Sequence, residues 1–150
     1  RVPAWILIAL FAIPPALATA RAHPDTVAYY NEALGGFPGA GDRGMQREFW
    51  GSTAGHVLDV VNGLPGDRPK VHWHDTNYES YLLYLRDGRL RHGVHYWRHR
   101  TARRSDWFLF HWHKEFLDLQ EQSREELGGA VPHHVYARDG LPLLIVWGRP

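Results

Sequence analysis

The stretch "DWFLFHWHKEFLDLQEQSREELGG", residues 106–129, decides the fold class because a strand pattern changes into a helix pattern within one segment. Residues 106–113 are the most apolar strand candidate in the chain and are predicted to lie centrally in a sheet. Residues 114–129 carry apolar side chains at helical spacing and close on Gly128-Gly129, as amphipathic helices commonly do. A strand followed directly by a helix favours an α/β protein.

The flanking segments repeat this alternation. Residues 70–75 predict a strand, residues 76–88 a helix, and residues 92–97 another strand. Towards the C-terminus, "HHVYARDGLPLLIVW" (133–147) predicts a hairpin that turns at Asp139-Gly140. The order strand, helix, strand, strand, helix, hairpin predicts a small α/β sandwich with a mixed sheet and with its helices packed on that sheet.

The composition limits the classes of protein that this chain can belong to. Its 150 residues fit one domain and an appendage, and seven Trp, seven Tyr and six Phe exclude a disordered chain. A net charge of +1 gives no electrostatic reason to expect a nucleic-acid partner. The absence of cysteine excludes disulfides and thiolate metal sites.

The N-terminal stretch "VPAWILIALFAIPPALATA", residues 2–20, contains no charged residue. As a helix it would extend about 28 Å, close to the hydrocarbon thickness of a bilayer. A transmembrane helix is therefore predicted over residues 1–22, and Pro14 and Pro15 favour one member of a helix bundle over a lone anchor. Two alternatives stay open: a signal peptide that ends in "ALATARA", and a buried helix of a soluble protein.

Residues 23–51 are predicted to form an ordered connector between this helix and an extracytoplasmic α/β domain over residues 52–150. The glycines of the connector indicate tight turns, and its aromatic residues argue against a floppy linker. Aromatic side chains next to a membrane helix are typical of a segment at headgroup level. The first element of the α/β domain is predicted to be a short helix within 52–63, capped by Ser52 or Thr53.

The connector "HPDTVAYYNEALGGFPGAGDRGMQREFWG" resembles the segment after the last membrane helix in bacterial relatives of the dolichyl-phosphate-mannose-protein mannosyltransferases, glycosyltransferase family 39 in the broad sense. The residues that carry the resemblance are His23-Pro24, Tyr29-Tyr30-Asn31-Glu32, Gly35-Gly36, Pro38-Gly39-Ala40, Gly44 and Glu48-Phe49-Trp50-Gly51. Phe49 stands where the family pattern has Tyr. Residues 133–150 are similar to the last hairpin of the family, whereas residues 70–127 match only in pattern.

The resemblance implies a polytopic enzyme of the bacterial inner membrane. Such an enzyme transfers a sugar from a polyprenyl-phosphate carrier to an extracytoplasmic acceptor, and its catalytic acid is expected N-terminal of Arg1. This chain would then be an accessory, non-catalytic part whose partners are the sugar donor, membrane lipids and the remaining transmembrane helices. The residues expected to contact substrate or lipid carrier are His23, Tyr29, Tyr30, Asn31, Glu48 and Trp50. The alternative is a secreted, His-rich binding domain with an uncleaved signal peptide.

Two histidine motifs, "HWHD" (72–75) and "HWHK" (111–114), raise the question of a metal site. Histidines at i and i+2 of a strand share a face, and two such pairs could offer four nitrogens to zinc or copper. The residues concerned are His72, His74, His111 and His113. Polar residues at strand ends, alternating with buried neighbours, explain the motifs better because only Asp75 is adjacent as a supporting group. No cofactor is therefore predicted.

Other motifs give weaker indications. The basic and aromatic segment 91–104 is predicted to be a solvated loop, with contact to lipid phosphates as the alternative. The sequence contains neither a phosphate-cradling glycine-lysine motif nor a nucleophile-elbow motif, so neither nucleotide hydrolysis nor serine catalysis is indicated.

Overall fold

A computed structural model describes residues 3–97 and 102–150. In these ranges the α-helices are α1 (Ala4–Ala22), α2 (Gly36–Asp42), α3 (Leu58–Asn62), α4 (Tyr78–Arg86) and α5 (Leu117–Glu126). The strands are β1 (Lys70–Trp73), β2 (His95–Tyr96), β3 (Trp107–His111), β4 (Val131–Arg138) and β5 (Leu141–Gly148). Short 3₁₀ turns occur at Thr26–Ala28, Glu32–Leu34, Ser52–His56 and Lys114–Phe116.

The strands form one mixed sheet in the order β2-β1-β3-β5-β4. Strand β1 is parallel to β2 and β3, whereas β5 is antiparallel to both β3 and β4. The predicted α/β class and mixed sheet are confirmed. The apolar strand β3 is central, and the predicted hairpin turns at Asp139-Gly140 between β4 and β5.

Apolar side chains are buried on both faces of the sheet, because neighbouring residues of β1 and β3 alternate between them. One face packs against α3 and α4, with a core that includes Val57, Val61, Val71, Tyr81, Leu109 and Val146. The other face carries Phe108, Phe110 and Trp147, which pack with Leu127 and Ala130 beyond α5. A third cluster joins Ala22, Ala28 and Phe37 to Leu141 and Leu143 of β5.

Segments that are far apart in the sequence meet at one edge of the sheet. Strands β1 and β3 are parallel, so both carboxyl ends lie at this edge. Strand β5 runs the opposite way and pairs Leu144 with His111, which puts the hairpin turn there too. The Arg138 side chain at the end of β4 donates to the Arg21 carbonyl oxygen of α1 at 2.6 Å. We call this the α1-proximal edge.

Helix α1 is continuous through Pro14 and Pro15, and almost all of its side chains are exposed. Trp5 is 69% and Phe11 77% exposed, and within α1 only Ala18 and Ala22 are buried. With 19 residues and a mean hydropathy of 1.6, α1 is long and apolar enough to span a membrane or to serve as a signal sequence.

The connector forms a helix where the sequence predicted turns. The segment 36–42, predicted as turns from its glycines, forms α2, with Pro38 in the first turn where a missing N–H is tolerated. Gly35, Gly36 and Gly44 do have positive φ. A Cβ on Gly39 would collide with the Leu34 carbonyl group and one on Gly41 with Leu141, so these two glycines permit close packing rather than a turn.

Several predicted boundaries were wrong. The helix within 52–63 is divided into the turn Ser52–His56 and α3, and neither Ser52 nor Thr53 caps a helix through its own side chain. The strand over 92–97 is reduced to His95–Tyr96, and the helix over 114–129 begins at Leu117. Part of the basic segment 91–104 lies outside the described residues.

Candidate functional site at the α1-proximal edge

Glu48 is the most unusual carboxyl group of the connector because it is only 1% exposed. One of its oxygens accepts hydrogen bonds from the Ser52 hydroxyl at 2.9 Å and the Thr53 N–H at 3.3 Å. Burial raises the pKa of Glu48 to about 7, although these hydrogen bonds act in the opposite direction. Glu48 therefore stabilises the start of the turn Ser52–His56, which explains why Ser52 and Thr53 do not cap it themselves.

The backbone around Trp50 is in an unusual conformation. Trp50 has φ 56° and Gly51 has φ 64°, and Asp75, which lies against Gly51, has φ 56°. Left-handed conformations are uncommon for bulky residues and often occur where surrounding structure or function requires them. The Trp50 side chain is 84% exposed, so the main chain holds a large aromatic ring in solvent.

Asp75, His113 and Gln46 form a hydrogen-bonded array between the connector and the two strand ends. The Gln46 side-chain amide donates to the Glu48 carbonyl oxygen at 2.8 Å and contacts His113 Nδ1. With the amide as donor, Nδ1 accepts and the Nε2–H of His113 donates to Asp75 Oδ2 at 2.8 Å. Both ring nitrogens are then occupied, so this arrangement positions the connector and leaves no free nitrogen for general-base chemistry.

The other histidines of the two motifs are buried. His111 is fully buried, and its Nδ1–H donates to the His74 carbonyl oxygen at 2.6 Å. Burial lowers the pKa of His74 to about 4 and the pKa of His111 to about 3. Both side chains are consequently neutral at physiological pH.

The histidines of the two motifs are neighbours where β1 and β3 end, because the ring centres of His111 and His113 lie 6.4 Å and 6.1 Å from that of His74. His72 lies opposite Phe108, and His74 stacks on Phe110, so this pair belongs to the Phe108 face of the sheet. His111 has the parity of Leu109, which belongs to the opposite face. Within residues 3–97 and 102–150, no group of three or more His, Asp or Glu is arranged to hold a metal ion. That the protein has no cofactor stays a prediction.

A second buried carboxylate, Asp25, attaches the end of α1 to the sheet. It accepts from the Tyr136 hydroxyl at 2.6 Å and from Arg138 Nη1 at 3.0 Å, and His56 Nε2 lies 3.1 Å away. Burial and the hydrogen bond with Asp25 raise the pKa of Tyr136 to about 12. We call Asp25, His56, Tyr136 and Arg138 the Asp25 clamp. The sequence did not indicate it, because the partners of Asp25 lie up to 113 residues away.

The predicted contact residues have different surroundings. The Tyr30 hydroxyl donates to the Gln46 carbonyl oxygen at 3.0 Å, and the Asn31 side chain accepts from the Leu34 N–H at 3.2 Å. Tyr30, Asn31 and Glu48 thus make internal contacts of the connector. His23 and Trp50 are exposed. Contact of these residues with substrate or carrier stays a prediction.

Tyr29 lines a cavity of about 400 Å³ at the end of α1. The other residues of its wall are Ala18, Arg21, Ala22, Glu32, Phe37 and Asp139. The Tyr29 hydroxyl donates to Glu32 Oε1 at 2.7 Å, and its ring meets Phe37 edge-on at 5.4 Å. This cavity is the concave site that the α1-proximal edge offers to a small polar group.

No protein-family model, curated protein or solved structure matches this chain. The functional interpretation therefore depends on the geometry of the α1-proximal edge and on the resemblance of the connector.

Proposed function

We propose that this chain is the membrane anchor and extracytoplasmic accessory domain of a bacterial inner-membrane glycosyltransferase. The complete enzyme would transfer a sugar from a polyprenyl-phosphate carrier to an acceptor outside the cytoplasm. One observation carries the proposal. The exposed apolar helix α1 is attached to the α1-proximal edge, and the connector that resembles the glycosyltransferase family lies at the same edge. An exposed apolar helix of this length is unfavourable in water and is stabilised where lipid or other helices cover it.

The end of α1 favours retention of the helix over removal of a leader. Ala22 is buried in the cluster with Phe37 and Leu143, and the Arg21 carbonyl oxygen is the acceptor for Arg138. Cleavage after Ala22 would remove both of these contacts, whereas cleavage after Ala18 or Ala20 would leave Arg21 and Ala22 in the chain. The alternative of a secreted, His-rich binding domain has less support, because the four motif histidines are buried and not displayed to a ligand.

The surroundings of the connector residues support an accessory role. The carboxyl of Glu48 and the imidazole of His113 are both engaged in internal hydrogen bonds. Trp50 is the large connector side chain that projects outward. If α1 lies in the bilayer, the α1-proximal edge faces the membrane surface, where a polyprenyl-phosphate carrier presents its sugar. Trp50 would then contact the membrane part of the enzyme or the sugar.

The test is a transfer assay on the whole polypeptide that contains this chain, in membranes supplied with a radiolabelled polyprenyl-phosphate sugar. Trp50→Ala is expected to lower the transfer rate about tenfold, corresponding to a loss of roughly 1.4 kcal/mol. Val131→Ala is the matched control because Val131 is 53% exposed at the opposite end of the sheet, and its rate should not change.

Two results would overturn the proposal. One is a mature N-terminus at or after Ala20, read by mass spectrometry of the chain isolated from cells. The other is a Trp50→Ala variant that transfers sugar at the same rate as the Val131→Ala control.

A further inference from the structure

The cavity at the end of α1 has an unusual balance of charge. Its wall contains one guanidinium, from Arg21, and two carboxylates, from Glu32 and Asp139. The carboxyl end of a helix also carries partial negative charge, and Ala18, Arg21 and Ala22 belong to the end of α1. Among the lining residues the carboxylates therefore outnumber the guanidinium group, and the nearby Arg138 guanidinium is paired with Asp25.

The carboxylates of Glu32 and Asp139 can accept hydrogen bonds from a ligand. The Tyr29 hydroxyl donates to one oxygen of Glu32 and lowers the pKa of that carboxyl group, so Glu32 is ionised at neutral pH. The Glu32 carboxylate also interacts with its own main-chain N–H and with Arg21, but it is exposed and has about four acceptor sites, so it can accept a further hydrogen bond from a ligand. Asp139 is an exposed residue of the hairpin turn, with φ 47°, and lines the same cavity.

The aromatic part of the wall suits a cation as well. Tyr29 and Phe37 pack edge-to-face, and Phe37 already has the Arg138 guanidinium 5.6 Å from its ring centre. Aromatic rings attract ammonium and guanidinium groups through their quadrupoles. A primary ammonium would thus find two carboxylates and aromatic rings in the same cavity.

We propose that this cavity binds the phosphoethanolamine headgroup of a membrane lipid. The ammonium group lies at Glu32 and Asp139, and the phosphate lies at Arg21. The inference rests on the proposed function in one respect, because it requires the end of α1 to lie at the surface of a bilayer. Leu17, one turn before Arg21, is 52% exposed, so lipid beside α1 would have its headgroup at the level of the cavity.

The same chemistry discriminates among lipids. An anionic headgroup without an amine, including a polyprenyl phosphate, would meet two carboxylates for one guanidinium and is disfavoured. A choline headgroup has the positive charge but no N–H to donate to the carboxylates. Ethanolamine should bind most tightly, choline less tightly and glycerol least.

The test is native mass spectrometry of the whole chain in detergent, titrated with phosphatidylethanolamine, phosphatidylcholine and phosphatidylglycerol of identical acyl chains. We expect phosphatidylethanolamine to bind at least tenfold more tightly than phosphatidylglycerol. The double variant Glu32→Gln, Asp139→Asn should lose at least tenfold in phosphatidylethanolamine affinity and lose the headgroup preference. Gln still accepts from Tyr29, and Asn tolerates the left-handed backbone, so the fold should persist.

The matched control is Glu115→Gln, Asp118→Asn. Both residues are exposed acids near the end of β3 that do not line the cavity, and the charge change is the same. The control should bind all three lipids as the unmodified chain does. Equal binding of the three lipids, or an unchanged preference in the cavity variant, would overturn the inference.

A second arm separates a lipid from a soluble amine. Water-soluble O-phosphoethanolamine, titrated by NMR, should bind at least tenfold more weakly than the lipid, and equal affinity would overturn the assignment to a lipid. Extraction of the whole polypeptide from membranes at alkaline pH tests the proposed function separately. Retention in the membrane without headgroup preference defeats only this inference, whereas release from the membrane defeats the proposed function.

Discussion

The Glu48 carboxyl group is enclosed by the turn that it caps, and its surroundings favour the neutral form. Its pKa is raised to about 7 by burial, whereas in the unfolded chain the value is near 4.5. Between these two pH values the folded state binds more protons than the unfolded state, so the free energy of unfolding falls as pH rises through this window. His74 and His111, whose pKa values are lowered, act in the opposite sense, and their contribution is lost as pH falls below about 6.5.

Glu48→Gln should therefore remove the loss of stability that ionisation of buried Glu48 causes at alkaline pH. Gln keeps an oxygen that accepts from Ser52 and Thr53, but it does not ionise. We expect equal stability of the two proteins near pH 4 and an advantage for Glu48→Gln of up to about 3 kcal/mol at pH 8. Thermal unfolding in detergent from pH 4 to pH 8, monitored by tryptophan fluorescence, measures this difference in stability. Parallel pH profiles of the two proteins would contradict the raised pKa.

At the scale of elements, the carboxyl ends of β1 and β3 determine where the connector lies. Strand β1 ends at Trp73, and the chain then turns at Asp75 with a left-handed backbone. Gly51 approaches this turn so closely that a Cβ would collide with the Asp75 carbonyl group. The connector therefore touches the sheet through main chain, which only glycine permits at this position.

Gly51→Ala should destabilise the protein much more than Gly128→Ala. Both glycines have positive φ, but a Cβ at Gly128 meets nothing within 4 Å. The control should lose about 1 kcal/mol from backbone strain alone, whereas Gly51→Ala should lose at least about 3 kcal/mol because strain and collision add. Urea unfolding in detergent gives both values. Equal losses would show that the approach to Asp75 is not close in solution.

At the scale of the whole molecule, the Asp25 clamp connects an exposed apolar helix to a folded body. Asp25 is 4% exposed and is neutralised by Arg138, which at the same time binds the end of α1. Loss of one partner from a buried ion pair leaves the other charge buried, which costs more than the pair contributes. The orientation of α1, and with it the shape of the cavity, depends on this clamp.

Arg138→Leu should therefore lower the free energy of unfolding by about 3 kcal/mol and loosen the start of the connector. Arg86→Leu is the control, because its ion pair with Asp87 is at the surface and should contribute less than about 0.5 kcal/mol. Chemical denaturation in detergent gives the stabilities, and hydrogen exchange over residues 22–28 gives the local effect. Unchanged exchange in Arg138→Leu would show that the clamp does not hold α1.

Local sequence patterns were sufficient for the class of the fold and for much of its order. Short apolar runs identified β3 and β5, Asp139-Gly140 identified the hairpin, and an uncharged stretch identified α1. These features depend on side chains close in sequence, which show which face of an element is apolar. The same reasoning placed turns where α2 forms, because local propensity does not include the Leu141 side chain that packs on Gly41.

The candidate site depends on contacts that the sequence does not encode locally. The sequence by itself determined an apolar helix, an aromatic connector and an α/β sheet with β3 at its centre. Only the tertiary structure decided that Asp25 meets Arg138, that His111 is neutral and buried, and that Glu32 and Asp139 line one cavity. The reason is physical: the pKa of a group and its partners depend on which distant segments exclude water around it, and only packing of the whole chain sets that.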